Sequence, residues 1–218
     1  MSFFSGYSFF VCLAILLVPA IILGLLEKSL RWYRLVLTLF FIWMIYRETP
    51  VQLIYLAAYA IVSCYIVKIY LYLRKKYGRQ KYIYGHAVFL VLLPLILSKV
   101  SGLYGINIFG FLGISYICFR VLQVIIEIYD GVICDVREIQ FLEFLLFFPS
   151  LSSGPIDRSR RFQADDEKIY TRKEYLELLG DGIWKIFLGL FYKIVCSAFF
   201  YDLLNNVFEN RYKPLYII

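Results

Sequence analysis

YSFFVCLAILLVPAIILGLL, residues 7 to 26, carries no charged side chain, and Pro19 and Gly24 are its only helix-weakening positions. About 20 predominantly apolar residues are what a helix needs to cross the ~30 Å hydrocarbon core of a bilayer. The rest of the chain has the same character. Of its 218 residues, 61% are hydrophobic and 18% charged, too little polar side chain to coat a water-exposed surface. The 20 Tyr and 20 Phe supply interfacial aromatic belts, while 6 Pro and 13 Gly in so apolar a chain exclude disorder, collagen and a disulfide scaffold. The expected fold class is all-α: a polytopic integral membrane helical protein with short, tilted and re-entrant helices. No charge precedes the first apolar run and no small-residue cleavage pattern interrupts it, so the first segment is expected to stay in place.

Working outward, the apolar runs predict further spans. Leu35 to Tyr46 is short, but Arg34 and Arg47 at its ends can snorkel and the bilayer can thin. Thr49-Pro50 supplies a helix start, and Val51 to Val67 then runs without a charge. Tyr84 to Ser98 is interrupted by Pro94, and a turn around Gly102 and Gly105 leads into the next apolar run. The spans are expected at 7–26, 35–46, 50–69, 84–98, 104–128 and 183–201, as parts of one membrane domain. The last contains Lys185 and Lys193. The apolar stretch Phe141 to Phe148 holds Glu143 and stops at Pro149, so a re-entrant or interfacial helix is expected over 139–156.

Charge orients this arrangement. Lys28, Arg31 and Arg34 fall on one side with Lys68 through Lys81, whereas Arg47 and Lys99 stand nearly alone on the other. Lys and Arg concentrate in cytoplasmic loops, which predicts an external N-terminus in the plasma membrane and a cytoplasmic Asp157 to Lys173 loop. The net charge of +7 is scattered between apolar runs and forms no long stripe, so juxtamembrane loops account for it and nucleic acid does not. Cys12, Cys64, Cys118, Cys134 and Cys196 contain no CxxC pairing, and four of them lie within apolar runs; neither disulfides nor a metal site is expected.

Two features depart from a generic bundle. Arg120, Glu127 and Asp130 stand at i, i+7 and i+10, on roughly one helix face. Such charges either point into the protein or mark the emergence of the helix into water. The second feature is FFPSLSSGPIDR, Phe147 to Arg158, with two prolines, a glycine and three serines behind an apolar lead-in. Backbone broken at membrane depth must be shielded by protein or line a wet cavity, and the hydroxyls can satisfy groups freed by the break. Ser150, Ser152, Ser153, Gly154, Pro155, Asp157 and Arg158 are therefore candidate tunnel-lining residues, the bland alternative being a helix-breaking loop at the interface. Glycine-rich phosphate loops and a nucleophile elbow are absent from the sequence. The single histidine, His86, lies beside a basic cluster at the start of an apolar run, where an amphipathic boundary residue is expected rather than a catalyst.

FFPSLSSGPIDRSRRF, together with GISYICFRVLQVIIEIYDG at Gly113 to Gly131, resembles the membrane-bound O-acyltransferase (MBOAT) family. The serine-rich interior and the acidic EIYDG stretch look more like its D-alanyl-transferring branch than its alginate-acetylating one. The resemblance implies an enzyme that takes D-alanine from a phosphopantetheine-linked thioester on a cytoplasmic D-alanyl carrier protein and esterifies the teichoic acid of a Gram-positive cell wall, with no cofactor of its own. It further implies a chain of about twice this length, with this sequence as the N-terminal half. The family's catalytic histidine lies in the other half, so no catalytic residue is assigned here and the chain alone is expected to be inactive. The competing expectation is half of a non-enzymatic transporter or channel, whose broken helix binds an ion or solute.

Overall fold

A computed structural model describes residues 7–106, 108–151 and 158–211. Among these the chain is helical: α1 (Tyr7–Leu25), α2 (Arg31–Tyr46), α3 (Pro50–Tyr77), α4 (Lys81–Leu103), α5 (Ile114–Tyr129), α6 (Glu138–Leu146), α7 (Ser159–Glu167), α8 (Arg172–Phe191) and α9 (Ser197–Arg211). A π-helical segment, Tyr192–Cys196, joins α8 to α9, and a 3₁₀ turn, Phe148–Ser150, follows α6. Among the described residues, three stretches are long and apolar enough to cross a membrane: Pro50–Tyr77, Lys81–Leu103 and Arg172–Asn205. The apolar part of α1, Val11–Leu25, is shorter.

The chain divides into two compact units, Met1–Ile21 with Ser29–Lys168, and Ile22–Lys28 with Ile169–Ile218. In the first, α5 is the central helix. Its Ile117, Cys118, Val121, Val124, Ile125 and Ile128 are all but inaccessible and pack with Val67, Tyr70 and Leu71 of α3 and Ala87 and Val91 of α4. Aromatic hydroxyls satisfy backbone oxygens inside this bundle: Tyr59 donates to the Val91 carbonyl (3.1 Å) and Tyr46 to that of Leu112 (2.7 Å). Polar groups buried at this depth need such partners.

Helix boundaries follow local chemistry. Pro50 sits in the first turn of α3, where its missing N–H costs nothing, and the helix stops at Gly78, whose φ of +74° suits a residue without a Cβ. It extends to Tyr77, beyond the expected 50–69, because Lys68, Arg74, Lys75 and Lys76 continue a helix that has left the apolar layer. The fifth helix begins at Ile114 instead of 104. Gly105 (φ +71°), Phe109 (φ +60°) and Gly113 (φ +87°) interrupt it with left-handed backbone, so the described residues just ahead of Ile114, 108–113, run as bends and turns.

The second unit consists of the end of α1 and of α8, the π segment and α9. Its long helix starts at Arg172, eleven residues before the expected 183, because Thr171 and Glu174 cap it reciprocally. The Thr171 hydroxyl accepts from the Glu174 N–H (3.4 Å), and the Glu174 carboxylate accepts from the Thr171 N–H (3.1 Å). Glu27 accepts a further bond from the Arg172 N–H (2.8 Å), and the Tyr175 ring fills the space a Cβ on Gly24 would take.

Candidate functional site: a broken helix held by a buried arginine

The break after α6 is built within the first unit. Helix α6 has nine residues and ends at Leu146, leaving its last carbonyls without intrahelical donors. Arg120, at 2% exposure one of the most deeply buried side chains in the protein, supplies them. One guanidinium nitrogen donates to the Phe144 and Leu145 carbonyls at 2.9 and 3.2 Å, and the other donates to that of Ser150 at 2.7 Å, across the turn. A cation at a helix C-terminus also meets the negative end of the helix dipole. A buried charge is tolerated only when so surrounded by acceptors. Arg120 thereby joins the end of α6 to the far side of the turn, and its guanidinium carbon lies 5.3 Å from the centre of the Phe144 ring.

Aromatic side chains close the turn from the other side. Phe148 stacks on Phe41 of α2 with ring centroids 4.2 Å apart, and Phe147 and Phe144 each meet Phe162 of α7 at 5.3 and 5.6 Å. Leu151 is fully buried.

Beside this lies a four-charge cluster. Arg31 and Arg34, one turn apart at the start of α2, each bind both Glu143 of α6 and Asp166 of α7. The Arg31 contacts are 2.9 Å to Glu143 and 3.5 Å to Asp166, and those of Arg34 are 3.2 and 2.7 Å. Both carboxylates are 4% exposed, so their desolvation has to be offset by the two arginines. Arg34 further stacks over Phe162 at 4.6 Å. Burial pushes the Asp166 carboxyl above its ordinary value, an effect the guanidinium of Arg34 opposes and Glu143 reinforces. The hydrogen bond to Glu143 raises the Arg31 guanidinium.

Two cavities lie in the first unit, the first of them against the broken helix. One, of about 450 Å³, is bounded by Leu13, Leu17, Leu37, Phe147, Phe148 and Pro149, with Arg34 at its wall. The other, of about 590 Å³, has an apolar side including Phe119 and Ile126 and a charged side of Glu127, Asp130, Arg158 and Arg160. In this cleft Glu127 accepts from Arg160 (3.2 Å) and from the Gln123 amide (3.3 Å).

The three charges expected on one face of α5 therefore take three environments. Arg120 is buried, the Glu127 side chain is 12% exposed, and Asp130 is half-exposed and paired with Arg79 at 3.1 Å. Successive turns of the helix carry them from the interior to the surface, so Arg120 follows the inward reading and Asp130 the emergent one. Of the candidate passage residues, Ser150 is part-buried and donates to the Phe147 carbonyl (3.5 Å), and Arg158 lines the charged cleft. Ser152, Ser153, Gly154, Pro155 and Asp157 lie outside the described residues. His86 is exposed, with Nδ1 2.7 Å from the Tyr82 carbonyl of its own helix.

The Arg31, Arg34, Glu143 and Asp166 cluster is not legible in the sequence as a unit. Its only signal was Glu143, a carboxylate inside an otherwise apolar run, which requires a partner that spacing along the chain does not identify.

No family model matches the chain. It is 37% identical over 201 residues to the teichoic acid D-alanyltransferase of Bacillus subtilis (strain 168), covering 88% of this chain and 51% of that protein. Identity is 36% over 199 residues to the teichoic acid D-alanyltransferase of Streptococcus thermophilus, and 34% over 206 residues to that of Lacticaseibacillus rhamnosus, each covering 90% of this chain and about half of the relative. The chain thus spans about half the length of the curated relatives it matches.

Proposed function

We propose that this chain forms the N-terminal part of a plasma-membrane O-acyltransferase of the MBOAT kind that transfers D-alanine to teichoic acid. The observation that carries the reading is the 34 to 37% identity to teichoic acid D-alanyltransferases over some nine-tenths of the chain. The D-alanyl group arrives as a thioester on the phosphopantetheine arm of a cytoplasmic carrier protein. A teichoic-acid hydroxyl attacks the thioester carbonyl, the ester C–O bond forms, the C–S bond breaks, and the hydroxyl proton passes to the leaving thiolate.

A charged aminoacyl group is costly in hydrocarbon, so the transfer requires a polar route through the membrane region. The break after α6 suits that requirement, because Arg120 holds backbone carbonyls at a fixed turn in an apolar bundle. In this reading Ser150 and Arg158, with Ser152, Ser153, Gly154, Pro155 and Asp157, line the route. The N-terminus is external, and the basic segments around residues 28–34, 74–81 and 158–173 are cytoplasmic, in keeping with the positive-inside rule. The general base comes from the remaining part of the polypeptide, with the carrier protein docking from the cytoplasm.

The test is complementation. The full-length polypeptide is expressed in a Gram-positive strain that lacks its own teichoic-acid D-alanylation, and D-alanine released from the cell wall by mild alkali is quantified. The wild-type sequence is expected to restore the ester, and Gly154→Leu to abolish it while the protein still inserts. Absence of ester with correctly inserted wild-type protein rejects the activity; full ester with Gly154→Leu rejects the placing of the route.

A further inference from the structure

The turn between α3 and α4, RKKYGRQK at residues 74–81, concentrates five cations without an intervening carboxylate. The structure divides them into two sets. Arg74 and Arg79 face the end of α5: Arg74 donates to the Tyr129 carbonyl at 3.3 Å, and Arg79 binds Asp130 at 3.1 Å and stacks over the Tyr129 ring at 4.3 Å. Lys75, Lys76 and Lys81 are exposed, and among the described residues none of them has a carboxylate within ion-pair distance. Tyr72, Tyr77 and Tyr82 flank them, at 62%, 52% and 83% exposure.

The depth of the turn follows from helix length. Helix α3 has 28 residues, about 42 Å at about 1.5 Å per residue, against a hydrocarbon core of ~30 Å. Its charge-free stretch ends before Lys68, and Lys75 and Lys76 lie two turns farther on, roughly 10 Å beyond it. Helix α4, also apolar and long enough to span, starts at Lys81. Both helices therefore bring their basic ends to headgroup level, where the flanking tyrosines are at home.

From this arrangement we infer that Lys75, Lys76 and Lys81 form a binding surface for the phosphate groups of anionic membrane lipids. The arginines, fixed against α5, set the shape of the turn, and the lysines supply the charge that lipid headgroups meet. Lysine suits this role, being a flexible point charge that needs no bidentate geometry. The inference rests on α3 and α4 crossing the bilayer and is independent of the acyltransfer reading.

The test uses the full chain reconstituted in phosphatidylcholine bilayers doped with spin-labelled phosphatidylglycerol or spin-labelled phosphatidylcholine. The motionally restricted fraction of each label gives the relative affinity. Phosphatidylglycerol is expected to be preferred by at least about threefold at low salt, with the preference declining as added salt shortens the screening length. The triple variant Lys75→Gln, Lys76→Gln, Lys81→Gln should lose it, and the matching triple arginine variant should retain it. Equal affinity for the two labels in the wild-type chain overturns the proposal, as does a preference that survives the glutamine variant. Should the glutamine variant fail to reconstitute, a wild-type preference that does not respond to salt overturns it equally. A glutamine variant that keeps its lipid preference but loses affinity for an acidic soluble protein assigns the surface to that protein and rejects the lipid.

Discussion

At the scale of single residues, Arg120 and Asp166 show how burial turns a charge into a structural constraint. Arg120 joins three carbonyls across the turn, so its replacement by Met leaves buried acceptors unsatisfied, each costing about 1–3 kcal/mol. We expect Arg120→Met to lower the midpoint of thermal unfolding in detergent by several degrees, and Arg120→Lys, which cannot reach all three carbonyls, to fall between it and the wild type. An unchanged midpoint for the Met variant would remove Arg120 from its structural role. For Asp166 the sign is set by burial, which raises its folded-state pKa above the unfolded value near 3.9. The folded state then binds the proton more tightly, so stability is gained as pH falls through the raised folded value towards the unfolded one and lost on the way back. Asp166→Asn should flatten that part of the stability profile, which a series of melts between neutral pH and about pH 4 would reveal.

At the scale of elements, the helix ends carry more information than the helix bodies. Gly113, at φ +87°, turns the irregular segment into α5. An alanine there has to adopt left-handed backbone at a cost of about 1–2 kcal/mol, and Gly113→Ala should destabilise the first unit by that amount in denaturant unfolding. Gly102→Ala is the control, since it lies in α4 with open space around its Cβ position and should cost nothing or stabilise slightly. Equal effects at the two sites would mean that the conformation of the Gly113 turn is not what sets the start of α5. Alternation between apolar run and charged break announced most of these elements in advance. The boundaries of α3, α5 and α8 moved for reasons that hydropathy does not register: continuation of a helix into water, left-handed turns, and a reciprocal cap.

At the scale of the whole molecule, the prediction concerns sidedness. A single cysteine placed at Arg79 in an otherwise cysteine-free chain should react with a membrane-impermeant maleimide only after the cells are opened, and labelling in intact cells would invert the proposed topology. The sequence by itself determined that this is a helical membrane protein and that the apolar run ending at Phe148 is broken at Pro149, because both follow from the composition of contiguous stretches and the high cost of polar groups in hydrocarbon. It also carried the likeness to D-alanyl-transferring enzymes in two short motifs. Only the tertiary structure decided that Arg120 points inward onto the end of α6 while Asp130, ten residues later on nearly the same face, pairs with Arg79 at the surface. Only the structure joined Arg31 and Arg34 to Glu143 and Asp166, more than a hundred residues away. The physical reason is the same for both: periodicity places a charge on a helix face, but its partner is chosen by which other helix packs there, and that choice depends on the whole fold.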